Sequence, residues 1–316
     1  MSDKIPVIAV VGPTASGKTK LGVELCKLLN GEVVSADSMQ IYKQMDIATA
    51  KPSVTDMDNI PHHLIGFVEP EECFSVVQYC SMAKKCMEEI TGRGKIPVVV
   101  GGTGLYIDAL LNNIEFPQAN ADYTLREQLK KIASEKGAEV LLEELMKIDP
   151  DTAQTLHIND LGRIIRAIEL YCTTGITMSK HIQLSKVNPS PFIPCIIGLN
   201  FRNRQILYDR INGRIDDMLK NGLIEEAMLF YKNHNDGTAK QAIGYKELFP
   251  YFEGTVQLSQ AVDKLKQETR NYAKRQLTWF RKNETIKWIY ADEYNSQSDL
   301  TQAAFCLIRD SSVAGR

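Results

Sequence analysis

A glycine-rich segment near the start of the chain has the residue types and the spacing of a phosphate-binding loop. Residues 12–19 read Gly-Pro-Thr-Ala-Ser-Gly-Lys-Thr and fit the pattern GxxxxGK[ST]. An apolar run precedes the segment and a helical repeat follows it, so backbone N–H groups and a helix N-terminus can converge on one anion. Lys18 can reach the outer phosphates, and the Thr19 hydroxyl can bind Mg²⁺. The segment therefore predicts a site for a di- or triphosphate.

The second chemical candidate is Asp37, which stands at the end of the second predicted strand. Ligands of α/β sheets bind beyond the carboxyl ends of the strands, so Asp37 faces the phosphate loop if its strand lies near the first one. A carboxylate there can bind Mg²⁺ through water, or it can take a proton from a nucleophile. The alternative interpretation is a helix-capping or turn aspartate.

Two arginines on a helix predicted over 204–221 are candidates for binding the same anion. Arg210 and Arg214 are four residues apart, so they lie one turn apart on the same helix face. Two guanidinium groups can bind a diphosphate bidentately. The alternative is pairing with neighbouring acidic residues, which are Asp209, Asp216 and Asp217.

A basic segment late in the chain is a candidate for binding RNA. Residues 263–287 contain eight basic and three acidic residues, although the net charge of the whole chain is -2. Trp279, Phe280 and Trp288 are interleaved with these charges. Basic side chains bind phosphates and aromatic rings stack on bases, a combination that suits single-stranded RNA. The alternative is that the rings pack in the core and the charges are solvated.

The elements that must position these residues alternate between strands and helices. Apolar runs predict strands over 5–11, 32–38, 96–102, 195–201 and 285–291. Helical spacing predicts helices over 18–29, 75–91, 204–221 and 259–283. This alternation indicates βαβ units, and the continuous apolar runs indicate strands that are covered on both faces. We therefore expect an α/β fold, with a P-loop NTPase-like core whose parallel β-sheet is flanked by helices.

A helical insertion interrupts this alternation. Residues 122–175 show no strand pattern, and helical spacing predicts three helices over 125–136, 138–147 and 161–172. The proline-rich stretch 186–194 is expected to be a linker back to the core. We therefore predict a core domain over 1–115 and 190–316 and an all-helical insertion domain over 116–189.

Composition and charge exclude several classes of protein. The chain has 316 residues, 44% of them hydrophobic, and its basic and acidic residues nearly balance. This excludes a histone-like nucleic-acid binder and a disordered chain. No apolar run reaches the length of a membrane helix, and no signal-peptide pattern is visible. The seven cysteines form no CxxC pair, so neither a disulfide framework nor structural zinc is expected. We expect a cytoplasmic monomer that does not contact a membrane.

Seven segments spread along nearly the whole chain form a specific combination. They are GPTASGKT (12–19), DSMQIYKQMDIATAKP (37–52), PHHLI (61–65), GGTGLY (101–106), NDLGRIIRAIELY (159–171), IGYKE (243–247) and KRQLTWFRK (274–282). The phosphate loop alone is generic, but its combination with the other blocks is not. Together and in this order, the segments resemble bacterial tRNA dimethylallyltransferases, the tRNA isopentenyltransferases of the IPP transferase family.

The resemblance implies a prenyl transfer. Enzymes of this family move the dimethylallyl group of dimethylallyl diphosphate onto N6 of the adenine at tRNA position 37, beside the anticodon, and release diphosphate. By resemblance, Asp37 is the general base on N6, Thr19 binds the Mg²⁺ cofactor, and Lys18 and Arg214 hold the diphosphate and take part in catalysis. The implied diphosphate-binding residues are Gly12, Pro13, Thr14, Ala15, Ser16, Gly17, Lys18, Thr19 and Arg214. The implied tRNA-binding residues are Asp37, Ser38, Met39, Gln40, Thr103, Arg163, Arg166, Gln241, Gly244 and Lys246.

Two positions depart from the pattern of that family. Ala48 stands where the family usually has glycine, which matters only if the position needs a positive φ. Gly162 stands where a longer side chain is expected, so we expect one tRNA contact to be missing there.

Two other functions fit part of the pattern. A P-loop small-molecule kinase that uses ATP would also carry an aspartate after the second strand and a Gly-Gly turn after the third. The helical insertion and the basic late helix are large for such a kinase. A non-catalytic RNA-binding protein would need the basic surface but not Asp37.

Overall fold

The structure is a computed structural model that describes residues 4–116, 122–185, 188–233 and 238–311. The chain divides into two compact units. One consists of Met1–Leu111 with Ser190–Arg316, and the other of Asn112–Pro189. The predicted boundary at residue 115 lies slightly later than this division. No helix in the described ranges is both long and apolar enough to cross a bilayer.

The first unit begins with strands and helices that alternate. They are β1 Ile5–Val11, α1 Lys18–Leu29, β2 Gly31–Ser35, α2 Val54–Met57, β3 His62–His63, α3 Val76–Gly92, β4 Ile96–Gly101 and α4 Gly104–Leu111. Local sequence sets the beginning of α3, where Ser75 and Gln78 form a reciprocal capping box.

The second unit contains only helices in the residues that the structure describes. They are α5 Tyr123–Lys136, α6 Ala138–Ile148, α7 Pro150–Ala153, α8 Leu161–Thr174 and α9 Met178–Leu184. Gly137, with a φ of 92°, separates α5 from α6, and Gly175 ends α8 in a left-handed conformation. The prediction of three helices here missed the short helices α7 and α9.

The chain then returns to the first unit. Its elements there are β5 Phe192–Asn200, α10 Arg204–Lys220, α11 Leu223–Asn233, α12 Phe249–Phe252, α13 Leu258–Phe280, β6 Lys287–Tyr290 and α14 Gln297–Arg309. Two 3-10 turns, Thr238–Gln241 and Ala291–Glu293, lie between these helices and strands.

The six strands of the described residues form one parallel sheet in the order β3-β2-β4-β1-β5-β6. The predicted α/β fold with a parallel, helix-flanked sheet is therefore confirmed. β1 lies between β4 and β5, and β2 is separated from β1 only by β4. The carboxyl ends of β1, β2 and β4 thus meet at one edge of the sheet, where the phosphate loop and Asp37 follow β1 and β2.

The structure corrects three details of the predicted strands. β5 begins at Phe192, so residues 192–194 belong to the sheet and not to a linker. Pro194 is tolerated there because β5 pairs with β6 only from Ile197 onward, so no strand on that side needs its missing N–H. β2 ends at Ser35 and not at residue 38, because the chain turns around Asp37. The two-residue strand β3 was not predicted.

Candidate active site

The phosphate loop connects β1 to α1, as the sequence predicts. The backbone has positive φ values at Gly12, Ala15 and Gly17, which are 145°, 61° and 96°. A Cβ atom at Gly12 would lie 2.4 Å from the carbonyl oxygen of Leu199 in β5, so only glycine fits this position. The loop curls directly into the N-terminus of α1, which carries a partial positive charge. This backbone geometry suits a bound phosphate group.

Three cations surround the loop. Lys18 Nζ donates to the carbonyl oxygen of Pro13 at 2.6 Å. From α10, Arg210 Nε donates to the carbonyl oxygen of Ala15 at 2.9 Å. Arg214 donates to the Thr14 hydroxyl at 3.3 Å. The loop and α10 therefore bring positive charge to one place from distant parts of the sequence.

The acidic neighbours of these arginines are engaged elsewhere. In the described residues, Asp209 accepts from Gln205, Asp216 pairs with Lys266, and Asp217 pairs with Lys220. The alternative interpretation, in which these aspartates bind Arg210 and Arg214, is thus not observed. Both arginines are directed to the phosphate loop instead.

Burial destabilises the positive charges of Lys18 and Arg214 when no anion is bound beside them. The pKa of Lys18 is lowered to about 7, mainly by burial and also by the charge of Arg214, while Asp37 opposes the shift. Burial also lowers the pKa of Arg214, an effect that Asp37 opposes and Arg210 strengthens. An anion bound in the loop would stabilise both positive charges. The electrostatics therefore point to a negatively charged ligand.

Asp37 lies in the turn that follows β2. Its Oδ1 accepts hydrogen bonds from the backbone N–H groups of Met39 at 2.9 Å and Gln40 at 3.3 Å. The turn interpretation is thus correct for one carboxylate oxygen. No hydrogen bond to Oδ2 is found among the described residues. Since Asp37 also lines the cavity that contains Lys18, its second oxygen is available to a ligand.

The Gly-Gly-Thr turn after β4 packs against the turn that carries Asp37. Thr103 Oγ1 accepts the backbone N–H of Ser38 at 3.0 Å, and the Thr103 N–H donates to the carbonyl oxygen of Ala36 at 3.2 Å. A Cβ at Gly101 would lie 2.1 Å from the same carbonyl oxygen, so the approach requires glycine. These bonds fix the backbone on both sides of Asp37.

One cavity of about 330 Å³ joins these groups. The predicted site residues that line it are Thr14, Ala15, Lys18, Thr19, Asp37, Ser38, Met39, Gln40, Arg214, Gly244 and Lys246. An apolar wall is formed by Ile211, Ile215, Met218, Leu223, Ile243 and Leu265. The cavity therefore combines an anion site, a carboxylate and an apolar surface.

A second cavity, of about 960 Å³, reaches the same phosphate loop. It shares Lys18, Thr19 and Arg214 with the first cavity and adds Arg210 and Lys51. The loop is therefore accessible from both cavities, so an anion held there can contact a ligand in either.

Comparison with known proteins shows the family of this chain. The family description "IPP transferase" matches residues 40–283, and "Isopentenyl transferase" matches residues 5–63. A tRNA dimethylallyltransferase of Thermoanaerobacter sp. (strain X514) is 47% identical over 299 residues, which are 94% of this chain and 95% of the relative. The chain belongs to the IPP transferase family.

Solved structures agree with this assignment. The crystal structure of the full-length tRNA isopentenylpyrophosphate transferase from Bacillus halodurans matches with a TM-score of 0.72 and 42% identity, over 96% of each chain. A eukaryotic dimethylallyltransferase, described as acting on tRNA, matches with a TM-score of 0.79 and 30% identity. That match covers 96% of this chain and 78% of the eukaryotic one.

Several site residues implied by the family lie outside the main cavity. Gly12, Pro13, Ser16 and Gly17 belong to the phosphate loop but do not line that cavity, and Gly17 lines the second one. Thr103 contacts Ser38 and does not line the cavity itself. Gln241 ends the 3-10 turn Thr238–Gln241, and its side chain lies outside the part of the chain that the structure describes.

Arg163 and Arg166 lie on α8 of the helical unit. Arg163 is exposed, whereas Arg166 pairs with the fully buried Glu169 at 2.6 Å. Glu169 also binds Arg126 through both carboxylate oxygens, at 2.9 and 3.0 Å. Arg166 thus has a structural partner within its own unit, and Arg163 is the better candidate for a tRNA phosphate.

The two departures from the family pattern are accommodated locally. Ala48 is not among the residues with positive φ, and its N–H donates to Glu226 Oε1 at 2.9 Å. Position 48 therefore does not need a positive φ, and alanine can replace the usual glycine without strain in the backbone. Apart from the adjoining residues and the backbone of α8, no described atom lies within 4 Å of a Cβ built at Gly162, so a longer side chain would not clash with the described residues.

The late basic segment is partly structural. Phe280 is buried and Trp288 packs against the core, so the core-packing alternative holds for these two rings. Trp279 is half-buried, and its Nε1 donates to Asp108 at 2.7 Å. Several basic side chains have intramolecular partners, such as Lys264 with Glu268 and Arg270 with Asn212. Four remain exposed near the end of α13, and we call Lys274, Arg275, Arg281 and Lys282 the basic end.

Several residues that line the cavity are not among the predicted site residues. Arg275 and Gln276 belong to the family segment 274–282, and both line the cavity together with Tyr272. His62 also lines it. His62 Nδ1 bonds the carbonyl oxygen of Ile60 at 2.8 Å, and Nε2 is buried with no partner among the described residues. The segments 61–65 and 274–282 were the available signals, but sequence does not show which of their side chains turn inward.

The cavity offers oxygen donors that fit Mg²⁺. Thr19 and Asp37 line it together beside the phosphate loop, and hydroxyl and carboxylate oxygens are ligands that Mg²⁺ accepts. Among the described residues there is no group of three or more His, Cys, Asp and Glu side chains that could hold a metal. This donor set fits a Mg²⁺ ion that takes its remaining ligands from water and phosphate, and not an all-protein cage.

The depressed pKa of Lys18 leads to a prediction for anion binding. A protonated Lys18 would attract diphosphate, and because burial and Arg214 lower its pKa to about 7, the free protein loses this charge as the pH rises through about 7. Affinity for inorganic diphosphate should be highest below that pH and should weaken as the pH rises to 9, by at most about tenfold per pH unit. Calorimetric titrations across this range measure the slope. Lys18→Met should bind weakly and show no such slope; an unchanged slope in that variant would contradict the assignment.

Proposed function

We propose that this protein is a tRNA dimethylallyltransferase, which transfers a dimethylallyl group to an adenine of tRNA. Its donor is dimethylallyl diphosphate, and its acceptor is N6 of the adenine beside the anticodon, at tRNA position 37. It works in the cytoplasm as a monomer. The observation that carries the proposal is one cavity in which the phosphate loop, Lys18 and Arg214 lie with Asp37 and an apolar wall.

The donor half of the site suits an allylic diphosphate. Such compounds react by losing diphosphate while positive charge grows on the allyl carbon. Lys18, Arg214 and the loop backbone bind the departing anion, which lowers the barrier to C–O cleavage. The apolar wall that includes Ile211, Ile215 and Met218 accommodates the hydrocarbon tail and excludes water from the reacting carbon. Thr19 would hold Mg²⁺, which would further neutralise the leaving group when bound.

The acceptor half suits an exocyclic amine. N6 is a weak nucleophile because its lone pair is delocalised into the adenine ring. Asp37, with Oδ1 fixed by the Met39 and Gln40 N–H groups, takes the amine proton as the new C–N bond forms. The balance is one C–O bond broken, one C–N bond formed, one proton moved to the carboxylate, and one diphosphate released.

The adenine must leave its stack to reach such a cavity. Flipping a base costs a few kcal/mol, which contacts to the RNA backbone must offset. The basic end of α13 and the exposed Arg163 supply cations for these contacts. Met39, Gln40, Gly244 and Lys246 line the cavity and are candidates for contacts to the flipped nucleotide.

The kinase alternative is disfavoured by the relatives, which are named for dimethylallyl or isopentenyl transfer. A direct test gives the purified protein unmodified tRNA with either dimethylallyl diphosphate or ATP. Nucleoside mass spectrometry should find N6-(dimethylallyl)adenosine only with the prenyl donor. Tight ATP binding with no prenylated nucleoside would overturn the proposal. A non-catalytic RNA-binding protein would bind tRNA but form no product with either donor.

Binding of tRNA should weaken steeply as salt rises. Each phosphate contact on single-stranded RNA contributes about -0.7 to the slope of log affinity against log salt. The double variant Lys274→Ala/Lys282→Ala should reduce the magnitude of this slope by about 1.4 if each lysine contacts one phosphate. Arg309→Ala removes an exposed cation from α14 and is the matched control. Equal slopes in the two variants would show that the basic end does not contact RNA.

A further inference from the structure

A buried amide on α13 joins the two halves of the site. Gln276 is 5% exposed, and both polar atoms of its side chain are hydrogen-bonded. Oε1 accepts the backbone N–H of Thr14 in the phosphate loop at 2.8 Å. Nε2 donates to the carbonyl oxygen of Gly102 at 2.9 Å. One side chain thus bonds the donor loop and the turn that follows β4.

The second of these contacts leads directly to Asp37. Gly102 precedes Thr103, whose hydroxyl accepts the N–H of Ser38 at 3.0 Å. The Thr103 N–H bonds the carbonyl oxygen of Ala36, so the turn after β4 holds the residues on both sides of Asp37. A continuous path therefore runs from the phosphate loop through Gln276 and Thr103 to the carboxylate.

The helix that carries Gln276 is itself fixed at this point. Trp279, three residues later and on the same helix face, donates from Nε1 to Asp108 of α4 at 2.7 Å. A Cβ at Gly104 would lie 2.3 Å from the Trp279 ring, so the ring packs directly on the start of α4. A Cβ at Gly102 would lie 2.2 Å from Gln276 Nε2, so this amide also fits without spare room.

We propose that Gln276 is a positioning residue that sets the distance between the diphosphate-binding loop and the Asp37 turn. This inference rests on the proposed function and adds a component to it. Transfer requires the allyl carbon and N6 to meet at close range, and each is held by a different loop. A misplacement on the order of 1 Å costs about 10²-fold in rate. Gln276 acts through Thr14 and Gly102 and touches neither reacting atom.

The chemistry of the amide explains why glutamine suits this position. The site requires one acceptor, facing the Thr14 N–H, and one donor, facing the Gly102 carbonyl. A carboxylate supplies only acceptors, so Gln276→Glu would put an oxygen against the Gly102 oxygen. A protonated carboxyl group restores the donor. Methionine keeps the length and the apolar packing of the side chain but makes neither bond.

The test compares single-turnover rates at saturating tRNA and dimethylallyl diphosphate. Gln276→Met should lose about 10²-fold in this rate. Its dissociation constants for inorganic diphosphate and for tRNA should change about threefold or less. The rate of Gln276→Glu, divided by the wild-type rate at each pH, should rise as the pH falls from 8 to 6. The same ratio for Gln276→Met should stay flat, which separates the effect from titration of Lys18.

Leu277→Val is the control for a purely structural role, because Leu277 is buried in the same helix but makes no bond to either loop. This variant should lower the melting temperature and keep the rate. If Gln276→Met keeps the wild-type rate, or if the Gln276→Glu ratio is flat with pH, the inference is wrong. The wild-type protein must prenylate the same tRNA in parallel. Failure of that reaction counts against the proposed function, and not against Gln276 alone.

Discussion

Replacing Lys18 by methionine should lower the single-turnover rate of prenyl transfer by about 10²–10³-fold, the usual loss when one preorganised donor to a developing anion is removed. The ammonium lies against the loop carbonyl of Pro13 and lines the cavity beside the phosphate loop, so it is already positioned next to the leaving group. Its charge matters most when the diphosphate gains negative charge as the C–O bond breaks. The measurement is a single-turnover time course at saturating tRNA and prenyl donor.

The same substitution should leave the fold intact or make it more stable. Burial lowers the pKa of Lys18, which means that the folded protein disfavours the charged form, and methionine removes that cost while keeping the length of the chain. Lys20→Met alters an exposed lysine two residues later that also lines the second cavity, and it should keep the full rate. If Lys18→Met kept the normal rate but had a lowered melting temperature, the role of Lys18 would be structural and not catalytic.

The parts of this site whose local structure the sequence predicts are those encoded by one continuous segment. The phosphate loop, the strand before it and the helix after it occupy one continuous segment, so spacing alone identifies them. The position of Asp37 is predictable for the same reason, because its strand and its turn are adjacent in sequence. The parallel sheet also follows from local patterns, since alternating apolar strands and helices leave few other arrangements.

Contacts between distant segments could not be predicted in this way. Gln276 and Thr14 are 262 positions apart, and nothing in the segment 274–282 shows which side chain turns inward. Glu226 is a similar case. Its carboxylate accepts the backbone N–H groups of Asp46, Ile47 and Ala48, and the Tyr245 hydroxyl donates to it at 2.8 Å. These bonds hold the loop over 46–48, and the local sequence of that loop contains no sign of them.

The aromatic residues of the late helix illustrate a different limit. A tryptophan beside arginine and lysine fits RNA stacking and core packing equally well, because both need a large ring next to a polar group. The structure distinguishes RNA stacking from packing within the protein, because Trp279 bonds Asp108 and Phe280 is buried. Packing against α4 decides the outcome, and α4 lies far away in the sequence.

Asp37→Asn should lower the single-turnover rate by about 10²–10⁴-fold, the range for loss of a general base. Asparagine keeps the shape of the side chain, and its carbonyl oxygen can still accept the N–H groups of Met39 and Gln40, so the turn should persist. It cannot take the proton from N6. Affinities for tRNA and for the prenyl donor should therefore change far less than the rate.

A second role for Asp37 would give a different result. If the carboxylate acted mainly by organising Mg²⁺ through water, raising the Mg²⁺ concentration would partly restore the rate of Asp37→Asn, whereas loss of a proton acceptor is insensitive to the metal. Rates at low and high Mg²⁺ therefore distinguish the two roles. Asp310→Asn makes the same substitution at an exposed aspartate beyond α14 that lines neither cavity, so it is the matched control and should retain the full rate. If Asp37→Asn reacted at the wild-type rate at both Mg²⁺ concentrations, Asp37 would have no catalytic role. Its only role would then be to shape the turn after β2.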